Sequence, residues 1–260
     1  MPFREAAWKT YRRIADRYPV VRKVMGPLRW YYHYNYVSYA LHRVVGVSYR
    51  EWYARTLDSL ALPGAPPLVG LEERMGRYQL DYLRKRGLLP GHSLLDFGCG
   101  YVRAGVHLIP YLDPGCYVGA DVSRGRLEQG QRQIERLGLA GRRPELIWIP
   151  DLDLKRFGGR KFDFIWSHGV LSHMPPGDVE TFFHNLSTLM HPNSVYLGNY
   201  TATDSGDVEW ATLRHVYYSH QFLERICARA GLKMERLPDW VNGLPHEASE
   251  HDELVRITLA

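Results

Sequence analysis

The chain has 260 residues, 45% of them hydrophobic, enough for a full core without disulfide or metal staples. Its three cysteines, Cys99, Cys116 and Cys227, are scattered and lack CxxC spacing, which argues against a disulfide framework or zinc site and fits a reducing cytosol. The net charge of +5 is uneven: residues 1–50 carry ten Lys/Arg against two Asp/Glu, so the remainder is slightly acidic.

The first residues lack the apolar run of a signal peptide, and no stretch approaches the roughly 20 apolar residues of a membrane span. A soluble, cytoplasmic protein is therefore expected. Residues 1–62 read as largely helical. Ile14, Tyr18, Val21 and Met25 recur at helical spacing, and Pro19 and Pro27 split the segment. Nine of the eighteen tyrosines fall within the first 53 residues. The Pro/Gly-rich stretch 62–67 marks a boundary, giving an N-terminal helical lid or cap over 1–66 and a core over 67–260.

A helix is expected over 71–85. Strands and helices then alternate: strand 93–97, helix 103–111, strand 116–121, a helix capped by Ser123, strand 145–149, strand 162–167, a helix carrying Val179 to Met190, and strand 194–199. A helix from Ser219 to Gly231 and strands 233–237 and 254–259 close the chain. This alternation predicts an α/β fold, a Rossmann-like sheet with helices on both faces and ligands at the strands' carboxyl ends.

Gly98 and Gly100 follow the first apolar strand, where a sharp turn and a close approach to a ligand call for glycine. Two glycines alone also suit any tight strand-to-helix turn. Asp96 precedes them, Asp121 ends the second strand, and Asp151 follows the third. A carboxylate at Asp121 suits ribose hydroxyls. The dinucleotide fingerprint G-x-G-x-x-G fails at Arg103, and no GK[ST] completes a P-loop.

The segments LLDFGCG (94–100), GADVS (119–123) and KFDFIWSHGVLSHM (161–174) resemble three successive motifs of class I S-adenosylmethionine-dependent methyltransferases. The likeness spans about residues 70–260. It implies seven strands with the last antiparallel, and S-adenosylmethionine as cofactor. By this resemblance Asp96, Gly98 and Gly100 would hold the methionine part, Asp121 with Val122 the ribose, and Asp151 with the backbone of Leu152 the adenine. Ser167 and His168 would lie near the sulfonium. Val102 stands where many members have a third glycine.

A hydroxyl acceptor profits from a base, and histidine suits that role near neutral pH. His168 and His173 flank the loop after the fourth strand, and His215 lies beyond the fifth. His173 also suits a purely structural brace of the loop. A base of ordinary pKa would let the rate fall below about pH 6.5. No metal is expected, since no metal-ligand spacing appears. The expected activity is O-methylation of a small molecule or a glycan or glycolipid precursor. N-methylation, RNA methylation and an inactive cofactor-binding scaffold are the alternatives. The tyrosine-rich, basic front end suits a lid over the acceptor, with packing on the core or docking on an anionic membrane surface as further options. Nucleic-acid binding lacks a recognised module.

Overall fold

The computed structural model describes residues 27–61, 68, 70–238 and 252–260, so the periodic residues 14–25 and the expected boundary at 62–67 lie outside the described residues. The chain divides into two compact units, the first ending at Tyr49 and the second running Arg50–Ala260. In the first, helix α1 (Pro27–Val44) begins at the proline expected to break the segment. Proline suits a first helical position because the N–H it lacks has no partner there.

Helix α2 (Tyr49–Leu60) was expected with the N-terminal segment. From Arg50 onward its residues lie in the second unit, where Trp52 and Leu57 are buried. Helix α3 (Leu71–Lys85) occupies its expected range and buries Met75, Gln79, Tyr82 and Leu83 along one face.

The second unit is built on strands β1 (Leu94–Phe97), β2 (Tyr117–Asp121), β3 (Glu145–Trp148), β4 (Phe164–Ser167), β5 (Val195–Thr201), β8 (Leu232–Leu237) and β9 (Asp252–Leu259). Their order is β3-β2-β1-β4-β5-β9-β8, with β9 antiparallel to both neighbours. This is the expected seven-stranded sheet. β1 and β2 are buried at every position, as strands covered by helices on both faces must be. One apolar layer gathers Phe97, Phe182, Phe183 and Tyr196, and the other gathers Leu83, Leu94, Leu108 and Trp166.

The connecting helices are α4 (Gly105–Tyr111), α5 (Arg124–Arg136), α6 (Pro176–Leu186) and α7 (His220–Arg229). Ser123 caps α5 by accepting from the Arg126 N–H, and Ser219 caps α7 by accepting from the Phe222 N–H. A second sheet was not foreseen: β6 (Val208–Thr212) and β7 (His215–Tyr218) form an antiparallel hairpin between β5 and α7. Every residue of β6 is at least partly exposed, so no buried face imprints an alternating pattern on that strand.

Candidate active site

The parallel register brings the carboxyl ends of β4, β1, β2 and β3 side by side, with Phe97 opposite Ala120 and Asp121 opposite Trp148. The glycine turn is pinned there, since the N–H groups of Gly98 and Cys99 both donate to the Ala120 carbonyl. Gly98 has φ +81° and faces Val170 from the loop after β4, so a Cβ would overlap that side chain. Val102 shares the left-handed region, at φ 60°, although it is β-branched and fully buried. The departure from glycine at this position therefore keeps a glycine-like backbone, at a strain of about 1–3 kcal/mol.

Gly100 N–H donates to one Asp121 carboxylate oxygen at 2.8 Å, and Ser123 N–H donates to the other at 2.8 Å. Burial raises the Asp121 pKa, and these two donors pull it back. Each oxygen retains a lone pair, so the carboxylate can accept two further donors, as a ribose diol would supply. Asp96 is buried and accepts from the Tyr117 hydroxyl at 2.8 Å. Burial pushes its carboxyl up to about 7, with Tyr117 and Arg103 acting in the opposite direction. A carboxylate this poorly solvated suits a cationic partner such as an amino-acid ammonium. The pair thus fits the two ends of S-adenosylmethionine.

The adenine-side residues differ among themselves. The Asp151 carboxylate, expected to face the adenine, pairs with Arg156 at 3.2 Å near the surface. The Leu152 side chain is buried in the core and its carbonyl accepts from Asn185. The Val122 carbonyl accepts from the Trp148 indole N–H at 3.0 Å.

The loop after β4 is held rigidly: Gly169 N–H donates to Asn199 Oδ1, and Ser172 bonds Thr201. Ser167 was expected beside the sulfonium, but its hydroxyl is buried against the Tyr196 hydroxyl at 2.6 Å. His168 Nδ1 lies 3.3 Å from Arg103 Nη2. A guanidinium can only donate, so that nitrogen is an acceptor and the neutral ring carries its proton on Nε2. The lone pair a base would use is thereby taken.

His173 has the opposite tautomer. Its Nδ1–H donates to the Arg214 carbonyl at 2.6 Å, which leaves Nε2 as the basic nitrogen. Its ring lies against Tyr53 at 5.5 Å and His215 at 4.6 Å between centroids. Burial lowers its pKa to about 4. His215 bonds Thr212, and burial lowers its pKa as well.

Four residues of this site escaped sequence reasoning. Tyr53, on α2, lies over His173, and the Arg214 guanidinium centre lies 5.3 Å from the Tyr53 ring. Asp58, also on α2, accepts from Ser123 Oγ at 2.6 Å and Gly125 N at 2.9 Å, tying α2 to the start of α5. Arg126, on α5, comes within 3.8 Å of the position a Cβ on Gly100 would take. Only the tyrosine-rich front end, which runs to residue 53, and the Ser123 cap signal lay in the sequence, and neither names a partner.

Residues 95–196 match the family model described as a methyltransferase domain. An uncharacterized protein of Rickettsia prowazekii (strain Madrid E) is 28% identical over 150 residues, 54% of this chain and 57% of that protein, so the chain spans little more than half of that relative. Magnesium protoporphyrin IX methyltransferase from Synechocystis PCC 6803, crystallised with bound SAM, superposes with a TM-score of 0.61 at 14% identity, over 83% of this chain and 99% of that one. The glycopeptide N-methyltransferase MtfA, also complexed with S-adenosyl-L-methionine, gives 0.55 at 13% identity, over 71% and 94%. A methyltransferase domain over residues 95–196 thus coincides with this strand order and this glycine turn, and the chain has the Rossmann-like fold of the S-adenosylmethionine-dependent methyltransferases it resembles.

Proposed function

We propose that the protein transfers a methyl group from S-adenosylmethionine to an oxygen of a small molecule or glycan precursor, with His173 as the general base. The observation that carries this reading is the placement of two sets of residues at or just beyond the carboxyl ends of neighbouring strands. Asp96 and Asp121 flank the glycine turn on one side. His173, with Nε2 as its basic nitrogen, stands in the loop after β4 on the other.

The cofactor supplies the electrophilic methyl on its sulfonium. Asp96 would bind the ammonium and Asp121 the ribose hydroxyls. The backbone around Leu152 would border the adenine. Tyr53 and His215 pack against His173 and would limit water beside it, while Arg103 at the His168 Nδ1 would keep that ring out of the basic role. His173 Nε2 would take the acceptor's proton as the oxygen attacks. A base held near pKa 4 is weak, so positioning carries more of the rate than proton affinity does. Residues 1–66 are proposed as the acceptor-side cap, and α2 supports that role because it carries Tyr53.

Calorimetric titration with S-adenosylhomocysteine and with NAD tests the cofactor reading. The former should bind one site per chain and the latter should not. Binding of NAD alone would overturn it.

A further inference from the structure

We propose that helix α2 is the gate of the cofactor cleft: it crosses the carboxyl end of β1, fastened on both sides, and S-adenosylmethionine enters and its product leaves only when that helix is released. The inference rests on the cofactor reading above and adds the route by which the cofactor is exchanged.

The strand order places β1 between β2 and β4, so the glycine turn after β1 lies between the ends of those two strands. On the β2 side, Asp58, near the C-terminal end of α2, accepts from Ser123 Oγ at 2.6 Å and from Gly125 N–H at 2.9 Å. The Ser123 N–H also donates to the Asp121 carboxylate, so this fastening sits beside the proposed ribose contact. On the β4 side, the Tyr53 ring lies 5.5 Å from that of His173 between centroids. There Arg50, near the N-terminal end of α2, also forms a two-point pair with Asp178 in the first turn of α6. Nη2 donates to Oδ1 at 2.6 Å and Nε to Oδ2 at 3.2 Å. Arg50 and Asp58 are eight positions apart, about 12 Å along a helix axis. β2 and β4 stand two strand spacings apart, about 10 Å. The helix thus has the length to bridge from one to the other over β1.

Neither fastening uses a cofactor atom. The Arg50–Asp178 pair is two-pronged and both side chains are less than a third exposed, a geometry in which an ion pair contributes more than a loose surface contact does. At the other end, a Cβ on Gly125 would stand 3.1 Å from the Cβ of Ala61, the residue after α2, so helix end and loop are closely packed. The same contacts hold α2 with or without cofactor, so loosening one favours the open form equally in both cases. Entry and exit then quicken together, and equilibrium affinity stays near the parent value. Loss of a side chain that merely touched the cofactor would instead speed exit alone.

The test follows S-adenosylhomocysteine onto and off the full chain, by stopped-flow mixing and by chase of labelled ligand with unlabelled. Arg50→Gln, and Asp178→Asn from the other side of the same pair, should each raise both rate constants by about three-fold or more, with Kd within about two-fold of the parent. The double variant should go no further than either single one, because both remove one contact. Ala61→Cys with Gly125→Cys supplies a lock, since 3.1 Å lies a few tenths of an ångström below the roughly 3.5–4.5 Å between the Cβ atoms of a disulfide. Oxidised, this variant should exchange S-adenosylhomocysteine about ten-fold or more slowly than when reduced, while oxidation leaves the parent's exchange unchanged. The lock stands as a test even where a pair variant fails to fold. Unchanged rates in a folded Arg50→Gln or Asp178→Asn, faster exit without faster entry, or undiminished exchange across the closed disulfide overturns the proposal. Failure of S-adenosylhomocysteine to bind the parent overturns the cofactor reading, and the gate falls with it.

Discussion

The two sides of the cleft are built on different principles. The proposed cofactor floor comes from contiguous motifs at successive strand ends, where Gly98, Gly100 and Asp121 lie within 24 positions and are locked by backbone hydrogen bonds. The proposed acceptor wall comes from residues far apart in the chain. Tyr53 arrives from α2, His173 from the loop after β4, and Arg214 and His215 from an added hairpin. The contrast teaches that a shared sheet can carry a common cofactor geometry while the acceptor side is assembled from added pieces.

The largest expected effect falls on the wall. His173→Ala should lower kcat by about 10²–10⁴-fold while cofactor affinity stays nearly unchanged. The parent's rate should hold between about pH 7 and 5 and fall only toward pH 4, because burial keeps the ring neutral down to about that value. A limb near pH 6.5, or a variant that keeps a third of the rate, would move the base elsewhere, with His215 first in line.

On the floor, Asp121→Ala should weaken S-adenosylhomocysteine binding by about ten-fold or more in calorimetry, since it removes a charged acceptor of roughly 1.5–3 kcal/mol. Because its oxygens also hold the Gly100 and Ser123 N–H groups, Asp121→Asn is the milder companion. If both variants bind as the parent does, the floor is misassigned.

Asp96 sharpens the comparison through pH. Its folded-state pKa of about 7 lies above the ordinary carboxylate value of 3.8, chiefly because of burial. The stability this contributes is fully present below the unfolded value and is lost as pH rises through about 7. The ligand-free protein should therefore melt lower at pH 8 than at pH 5 through this group, and Asp96→Asn should flatten that slope. Binding a cationic ammonium should release about half a proton near pH 7, measurable by calorimetry in buffers of different ionisation heat. No proton release would separate Asp96 from the ligand.

The smallest effect tests the joint between floor and wall. Asp58 ties α2 to the start of α5, so Asp58→Ala should cost about 1 kcal/mol of stability, as lost caps do. Thermal melting unchanged within error would show that α2 is held by Trp52 and Leu57 instead.

Legibility in the sequence follows the same division. The seven strands and their connecting helices could be read because buried runs, Ser caps and glycine turns are local signals, as at Ser123 and Gly98. The hairpin carried no such signal, since β6 is exposed along its length. The three histidines were found as residue types, but their ranking needed partners that only folding supplies. Arg103 occupies the His168 lone pair, and the Arg214 carbonyl sets the His173 tautomer. The same holds for Ser167, whose hydroxyl bonds that of Tyr196, and for Asp151, which pairs with Arg156. The role of α2 was hidden because its partners, Ser123 and His173, lie 65 and more residues downstream.

A crystal structure with S-adenosylhomocysteine tests the central claim most directly. The account predicts ribose hydroxyls within hydrogen-bond distance of the Asp121 carboxylate, the ammonium beside Asp96, and the sulfur facing the space enclosed by His173, Tyr53 and Arg214. A nucleoside seated away from Asp121, or a sulfur directed away from His173, would contradict it.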